Sequence, residues 1–224
     1  MLSKEAIQFI EDLKNNNNTE WMHANKNRYE DYKKDYHLHI ASVLNEMKPL
    51  DKSLEPLEVK NCTFRINRDI RFSKDKSPYK TNIGMWLTTN KNSKNSPGYY
   101  IHFEKGSSFI AGGVWCPEAN QLKKIRKEIE FFHDDLTAIV ENKNFVTEFK
   151  AITREENNVL KNAPKGYDPS HPAIEFLKLK SFTCSQKIED KLFLDTDFSK
   201  KIVQKLIVLK PFNDFLNRAL ETEE

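Results

Sequence analysis

The sequence predicts an α+β fold, with an antiparallel sheet of about four to six strands from the middle of the chain packed by N- and C-terminal helices. Three observations predict it. Apolar residues recur at helical spacing over residues 3–50 and again over 117–224. Between them, over residues 57–116, apolar and polar side chains alternate as they do in a half-buried sheet. All six glycines fall between Gly84 and Gly166, where turns and close backbone approaches are expected. Neither a repeat nor a linker divides the chain, so residues 1–224 are expected to form a single domain.

The first helix is expected to begin at Ser3 and to carry Ile7, Phe9, Ile10 and Leu13. After the NNNN turn, Thr19 can cap a second, long helix. Its stripe of Tyr29, Tyr32, Tyr36, Ile40, Val43 and Met47 is most simply a core face. FRINRDIRF then reads as a strand with Phe64, Ile66, Ile70 and Phe72 on one face. TNIGMWLTT repeats the pattern, and GYYIHFE and SSFIAGGVW follow on either side of a tight turn at Lys105 and Gly106. Short links favour antiparallel pairing. Gly112 and Gly113 inside a strand mark a bulge or a close neighbour. Pro117 and Glu118 open a helix to about residue 141, with a shorter one near 144–152. LKNAPKGYDPSHP is a turn-rich loop, after which Pro172 suits the first position of a helix through Lys178. SFTCSQKI reads as one more strand. A last helix from Asp197 carries Ile202, Val203, Leu206, Phe212, Phe215 and Leu216.

Composition narrows the function classes. Charged residues make up 31% of the chain and mean hydropathy is −0.72, as in a soluble charge-rich protein. No apolar run approaches the roughly 20 residues that span a bilayer. The start, MLSKEAIQFIEDL, does not read as a secretion signal, so a cytoplasmic location and no membrane partner are expected. Cys62, Cys116 and Cys184 form no Cys-x-x-Cys pair and read as buried thiols rather than a disulfide framework.

Charge is distributed unevenly. Residues 60–80 hold Lys60, Arg65, Arg68, Arg71, Lys74, Lys76 and Lys80 against Asp69 and Asp75, a local balance of +5. The chain totals +3, so everything else sums to −2. Three of only seven arginines fall within Arg65–Arg71, although the other 29 cations are lysines. Arginine offers a planar fork matched to carboxylate and phosphate oxygens. On an alternating strand Arg65, Asn67, Asp69 and Arg71 share a face, and Asp69 can orient a guanidinium by a forked hydrogen bond. Arg68 falls on the apolar face, where it needs a buried acid or a bulge that redirects it. Arg65, Arg68, Arg71, Lys74 and Lys80 are therefore the expected anion-binding residues. Asp69 or Asp75 is the candidate base, with Lys76 and Tyr79 stabilising developing negative charge. The competing reading is an ion-pair network that knits the hairpin to acidic helices.

Other signals are weaker. His102 and Glu104 share a strand face with Tyr100, but two ligands do not make a metal site and no metal is expected. His171 reads as a cap or turn residue before Pro172. No Walker A loop and no GxGxxG occurs, so the cofactor stays unknown.

RINRDIRFSKDKSPYKTNIG resembles the signature of a mainly bacterial, uncharacterised family, domain of unknown function 2461. That pattern is Arg-x-x-Arg-Asp-x-Arg-Phe, then Asp or Asn with Lys, then Tyr. It is met here by Arg65, Arg68, Asp69, Arg71, Phe72, Asp75, Lys76 and Tyr79. GYYIHFEKGSSFIAGGVWCPE and APKGYDPSHPAIEFLKLKSF are similar to two further blocks of the family, although Ala111 stands where a third glycine is frequent. The resemblance covers nearly the whole chain and implies one domain centred on the basic hairpin. It implies no activity and no catalytic assignment. Three functions follow from the residues. The first is an enzyme acting on a phosphorylated or carboxylated small molecule. The second is a nucleic-acid or anionic-polymer binding module, with Phe72, Tyr79, Tyr99 and Tyr100 available for stacking. The third is an interaction protein that docks the basic hairpin on an acidic partner. The oligomeric state is not written in the sequence.

Overall fold

The computed structural model describes residues 1–88 and 95–221. Helix α1 (Lys4–Asn15) starts where the Ser3 hydroxyl accepts the Ala6 amide, and it buries Ala6, Phe9, Ile10 and Leu13. The long second helix expected from Thr19 is two helices, α2 (Thr19–Ala24) and α3 (Lys26–Met47). Its cap is Asn18 rather than Thr19, with the Asn18 carboxamide oxygen accepting the Trp21 amide at 2.8 Å. The break sits at Asn25, whose side-chain amide donates to the Trp21 carbonyl and competes with helical continuation. The stripe on α3 is a core face as the spacing implied, with Tyr32, Tyr36, Ile40, Val43 and Met47 buried.

Strands β1 (Ile83–Thr88), β2 (Gly98–Phe103), β3 (Phe109–Val114) and β4 (Phe182–Lys187) form one antiparallel sheet in the order β1-β2-β3-β4. Thr89, the last residue of the strand expected over TNIGMWLTT, lies outside the described residues. Between β3 and β4 run α4 (Ala119–Phe131), α5 (His133–Val140), α6 (Lys143–Phe149) and the short α7 (Ile174–Leu177). After β4 come α8 (Phe198–Leu206) and α9 (Lys210–Glu221). The single last helix expected from Asp197 is interrupted by a 3-10 turn at Ile207–Leu209. Pro211 follows that turn and has no amide to donate, so the interruption falls where a helical bond would be missing. Likewise the helix expected over 118–141 breaks at Phe132.

FRINRDIRF is not a regular strand. The segment 63–80 carries only isolated bridges, Thr63 to Met85 and Asn67 to Tyr79. Two backbone bonds close it into a loose hairpin, Arg68 N–H to the Pro78 carbonyl and Lys80 N–H to the Ile66 carbonyl. Its expected apolar face is not buried, since Phe64 is 44% exposed and Phe72 is 95% exposed. The cause is local. Asp69 accepts the Arg71 amide and Asp75 accepts the Ser77 amide, each two residues on, and these turns replace ladder bonds.

The residues gather into two compact units. The first comprises Met1–Leu87, Tyr100–Ile110 and Lys187–Gln204. Its core is aromatic: Phe9 stacks on Tyr32 at 5.3 Å, and Phe193 packs on Phe103 and on Phe198 at 4.9 and 4.7 Å. The second comprises Thr88–Tyr99, Ala111–Gln186 and Lys205–Glu224. Asn213 of α9 lies fully buried there. Its oxygen accepts the Gly113 amide at 3.0 Å and its nitrogen donates to the Gly98 carbonyl at 3.2 Å. Gly113 has φ 104, and a Cβ on it would meet the Phe182 carbonyl oxygen at 2.0 Å. The glycine pair therefore marks a close backbone neighbour. Cys62 and Cys184 are buried, whereas Cys116 is exposed at a left-handed turn with φ 48. Among the described residues no helix is long and apolar enough to cross a membrane.

Candidate functional site

A cleft of about 370 Å³ opens in the first unit. Helix α3, the basic hairpin, β1 and β2 build it. Tyr36 sets the frame: its hydroxyl donates to the Gly84 carbonyl of β1 and accepts the Phe64 amide at 3.2 Å. That one hydroxyl fixes the start of the hairpin against the strand. The Tyr36 ring lies parallel to Tyr32, with centroids 6.0 Å apart. Burial pushes the phenols of both residues well above their ordinary range, so both stay neutral.

The hairpin supplies the charge. Arg65, Arg68, Asp69 and Lys80 line the cleft, and Arg71, Lys74, Asp75, Lys76 and Tyr79 do not. Arg68 is half-buried. Its Nη1 donates to Asp75 Oδ2 at 2.5 Å and to the Ser77 carbonyl at 3.0 Å. Its partner is thus a largely exposed acid rather than a buried one. Arg71 makes the expected fork with Asp69, Nε to Oδ1 at 3.0 Å and Nη2 to Oδ2 at 2.6 Å. These contacts hold both aspartates below the ordinary carboxylate range. For Asp75 the Ser77 hydroxyl and amide contribute first and Arg68 after them, drawing it to about 2. For Asp69 the Arg71 side chain is the main cause. Lys76 donates to the Ile70 carbonyl at 3.0 Å. Tyr79 is buried, its backbone gripped on both sides by the Asn17 carboxamide at 2.9 and 3.0 Å.

Arg65 and Lys80 differ from the other two arginines. Among the described residues neither has a carboxylate within the 4.0 Å of an ion pair. Lys80 Nζ sits 5.0 Å from the centroid of the Phe64 ring. Burial lowers its pKa first, and the neighbouring Arg65 charge lowers it further. Two cations therefore face the same cleft with no ion pair of their own among the described residues, and the one carboxylate that lines it with them, Asp69, is forked to Arg71.

Strand β2 supplies the rest. Tyr100 and His102 alternate onto the cleft side of the strand, and the Tyr100 hydroxyl lies 2.9 Å from His102 Nδ1. His102 Nε2 faces Glu104 at 3.5 Å, and the ring stacks on Phe109 at 4.6 Å. Burial lowers the His102 pKa, and Glu104 opposes that shift. Gly84 makes room for the arrangement, because a Cβ there would stand 2.8 Å from the Tyr100 hydroxyl. Of these groups the sequence pointed to His102 and Glu104 only as an incomplete metal pair. Among the described residues no three His, Cys, Asp or Glu side chains gather as metal ligands would. His171 is a turn residue whose Nδ1 accepts the Ala173 amide at 3.1 Å.

A family model described as a conserved hypothetical protein, DUF2461, matches residues 5–215. The chain belongs to the DUF2461 family. In this DUF2461 protein the matched span contains the hairpin, β1, β2 and α3, which together form the cleft. No curated protein and no solved structure matches the chain.

Proposed function

We propose that the cleft receives a small molecule bearing a carboxylate or a phosphate, held by Arg65 and Lys80. The observation that carries this reading is that those two cations line one cleft with no ion pair of their own, the Asp69 carboxylate beside them being forked to Arg71. Like charges left together repel, and an anion between them relieves the repulsion. Arg68 and Arg71 are assigned to shape instead, since each is occupied by a neighbouring aspartate. The depressed Asp69 and Asp75 serve as anchors, because a general base works best with a pKa near the operating pH.

Calorimetric titration with inorganic phosphate and with sulfate tests the reading. The wild-type chain should bind, and Arg65→Ala or Lys80→Met should each weaken binding about tenfold or more with the circular dichroism unchanged. Lys74→Ala, outside the cleft lining, should leave binding intact. Equal affinity in all four proteins, or no binding by wild type, refutes the assignment.

A second reading has its own observation. Phe72 is almost fully exposed beside Arg71, Lys74 and Lys76 at the hairpin tip, as a stacking platform for a polyanion would be. Salt separates the two. A polymer that contacts several phosphates weakens steeply and linearly on a log scale, whereas a single small anion gives a shallow slope.

A further inference from the structure

The cleft carries a hydrogen-bond code as well as a charge. Glu104 as a carboxylate can only accept, so its approach to within 3.5 Å of His102 Nε2 favours the ring proton on that nitrogen. A neutral ring with its proton on Nε2 leaves Nδ1 as an acceptor, and Nδ1 meets the Tyr100 hydroxyl at 2.9 Å. The Tyr100 proton is therefore engaged inward. Among the described residues the Tyr100 hydroxyl has no other hydrogen-bond partner, and it lines the cleft with Arg65 and Lys80. Burial disfavours the imidazolium, so one ring nitrogen stays unprotonated and able to accept. What Tyr100 presents to a ligand is an oxygen lone pair.

Resting on the reading of this cleft as an anion site, we infer that Tyr100 selects oxyanions that carry a hydrogen-bond donor of their own, such as monohydrogen phosphate or a 2-hydroxycarboxylate. A fully deprotonated oxyanion would set its oxygen against the Tyr100 oxygen with no proton between them. The cations attract both kinds of ligand, and the tyrosine distinguishes them. Tyr100 is thus a specificity-determining residue, and His102 and Glu104 are positioning residues that act through it.

Sulfate and phosphate form the discriminating pair. Near pH 7.5 both are mainly doubly charged and tetrahedral, but only phosphate retains a P–OH group. Wild type should prefer phosphate by about tenfold, the value of one hydrogen bond at a partly buried site. Glycolate should exceed acetate by a similar factor if hydroxycarboxylates share the mode. Tyr100→Phe removes the acceptor and should collapse the phosphate preference while sulfate binding persists. His102→Phe should reduce the preference too, because the Tyr100 proton is then free to point outward. Equal phosphate and sulfate affinity in wild type, or an undiminished preference in Tyr100→Phe, overturns the inference while leaving the anion site standing. Failure of both anions to bind refutes the anion site itself, and the selectivity built on it falls with it.

Discussion

His39 makes stability depend on pH in a way that can be worked through. It sits on α3, 1% exposed, and among the described residues neither ring nitrogen has a hydrogen-bond partner. Its ring lies 4.4 Å from Phe198 and 6.0 Å from Phe193. Burial lowers its pKa from the ordinary 6.5 to about 3. The folded state therefore prefers the neutral ring, and the unfolded state binds the extra proton first. The stability held by the neutral ring is present above pH 6.5 and is lost as pH falls toward 3, where the folded ring also charges. Each pH unit within that window costs about 1.4 kcal/mol, so the loss from this one group is about 2 kcal/mol at pH 5. That is a large fraction of a typical domain's stability. The assay is urea unfolding at pH 7.5 and pH 5.0 for wild type and for His39→Leu, a near-isosteric apolar replacement. At pH 7.5 the two should agree within about 1.5 kcal/mol. Between the two pH values wild type should lose about 2 kcal/mol more than the variant. Paired carboxylates and His102 contribute to both proteins and cancel in the difference. If both proteins lose the same stability, the His39 ring is reached by water or by a partner, and the argument from burial is refuted.

Other substitutions test other parts of the structure. Gly84→Ala brings a methyl group to 2.8 Å from the Tyr100 hydroxyl and 3.2 Å from the Phe64 ring. It should abolish the phosphate-over-sulfate preference at a stability cost of about 1–3 kcal/mol, read by titration and by urea melts. Asn213→Ala strips partners from the buried Gly113 amide and Gly98 carbonyl and should cost about 2–4 kcal/mol in equilibrium unfolding; a change under half a kcal/mol would contradict those bonds. Aromatic disulfide reagents should modify Cys116 quickly in the native protein. Cys62, pushed to about 12 by burial, and the equally buried Cys184 should react only on unfolding, so rapid release of more than one equivalent argues against the packing.

The helices and the sheet were legible because their signals are local and repeated. The α3 stripe at steps of three and four, the Lys105–Gly106 turn and the Gly112–Gly113 pair each translate directly into structure. The hairpin misled because its alternation satisfies the strand pattern while its aspartates offer the backbone a competing set of bonds. Nothing in the alternation of Phe64, Ile66, Ile70 and Phe72 reveals that Asp69 and Asp75 win that competition. The site was half visible. Charge excess pointed to Arg65 and Lys80, but it could not separate them from Arg68 and Arg71, since self-pairing depends on where Asp69 and Asp75 finally point. Tyr36 and Tyr100 join the cleft only through the packing of α3 against β1 and β2, and residues that distant in sequence carry no spacing signal for one another.

The Tyr36 hydroxyl also gives the molecule a built-in gauge of motion. Phe64 donates its amide to that side chain rather than to a neighbouring strand, so its proton can exchange with solvent only when Tyr36 lets go. Hydrogen exchange at this single amide therefore counts how often helix α3 releases the hairpin. Tyr36→Phe should accelerate it with little change at amides in the middle of α3. A ligand that seats between Arg65 and Lys80 should slow it.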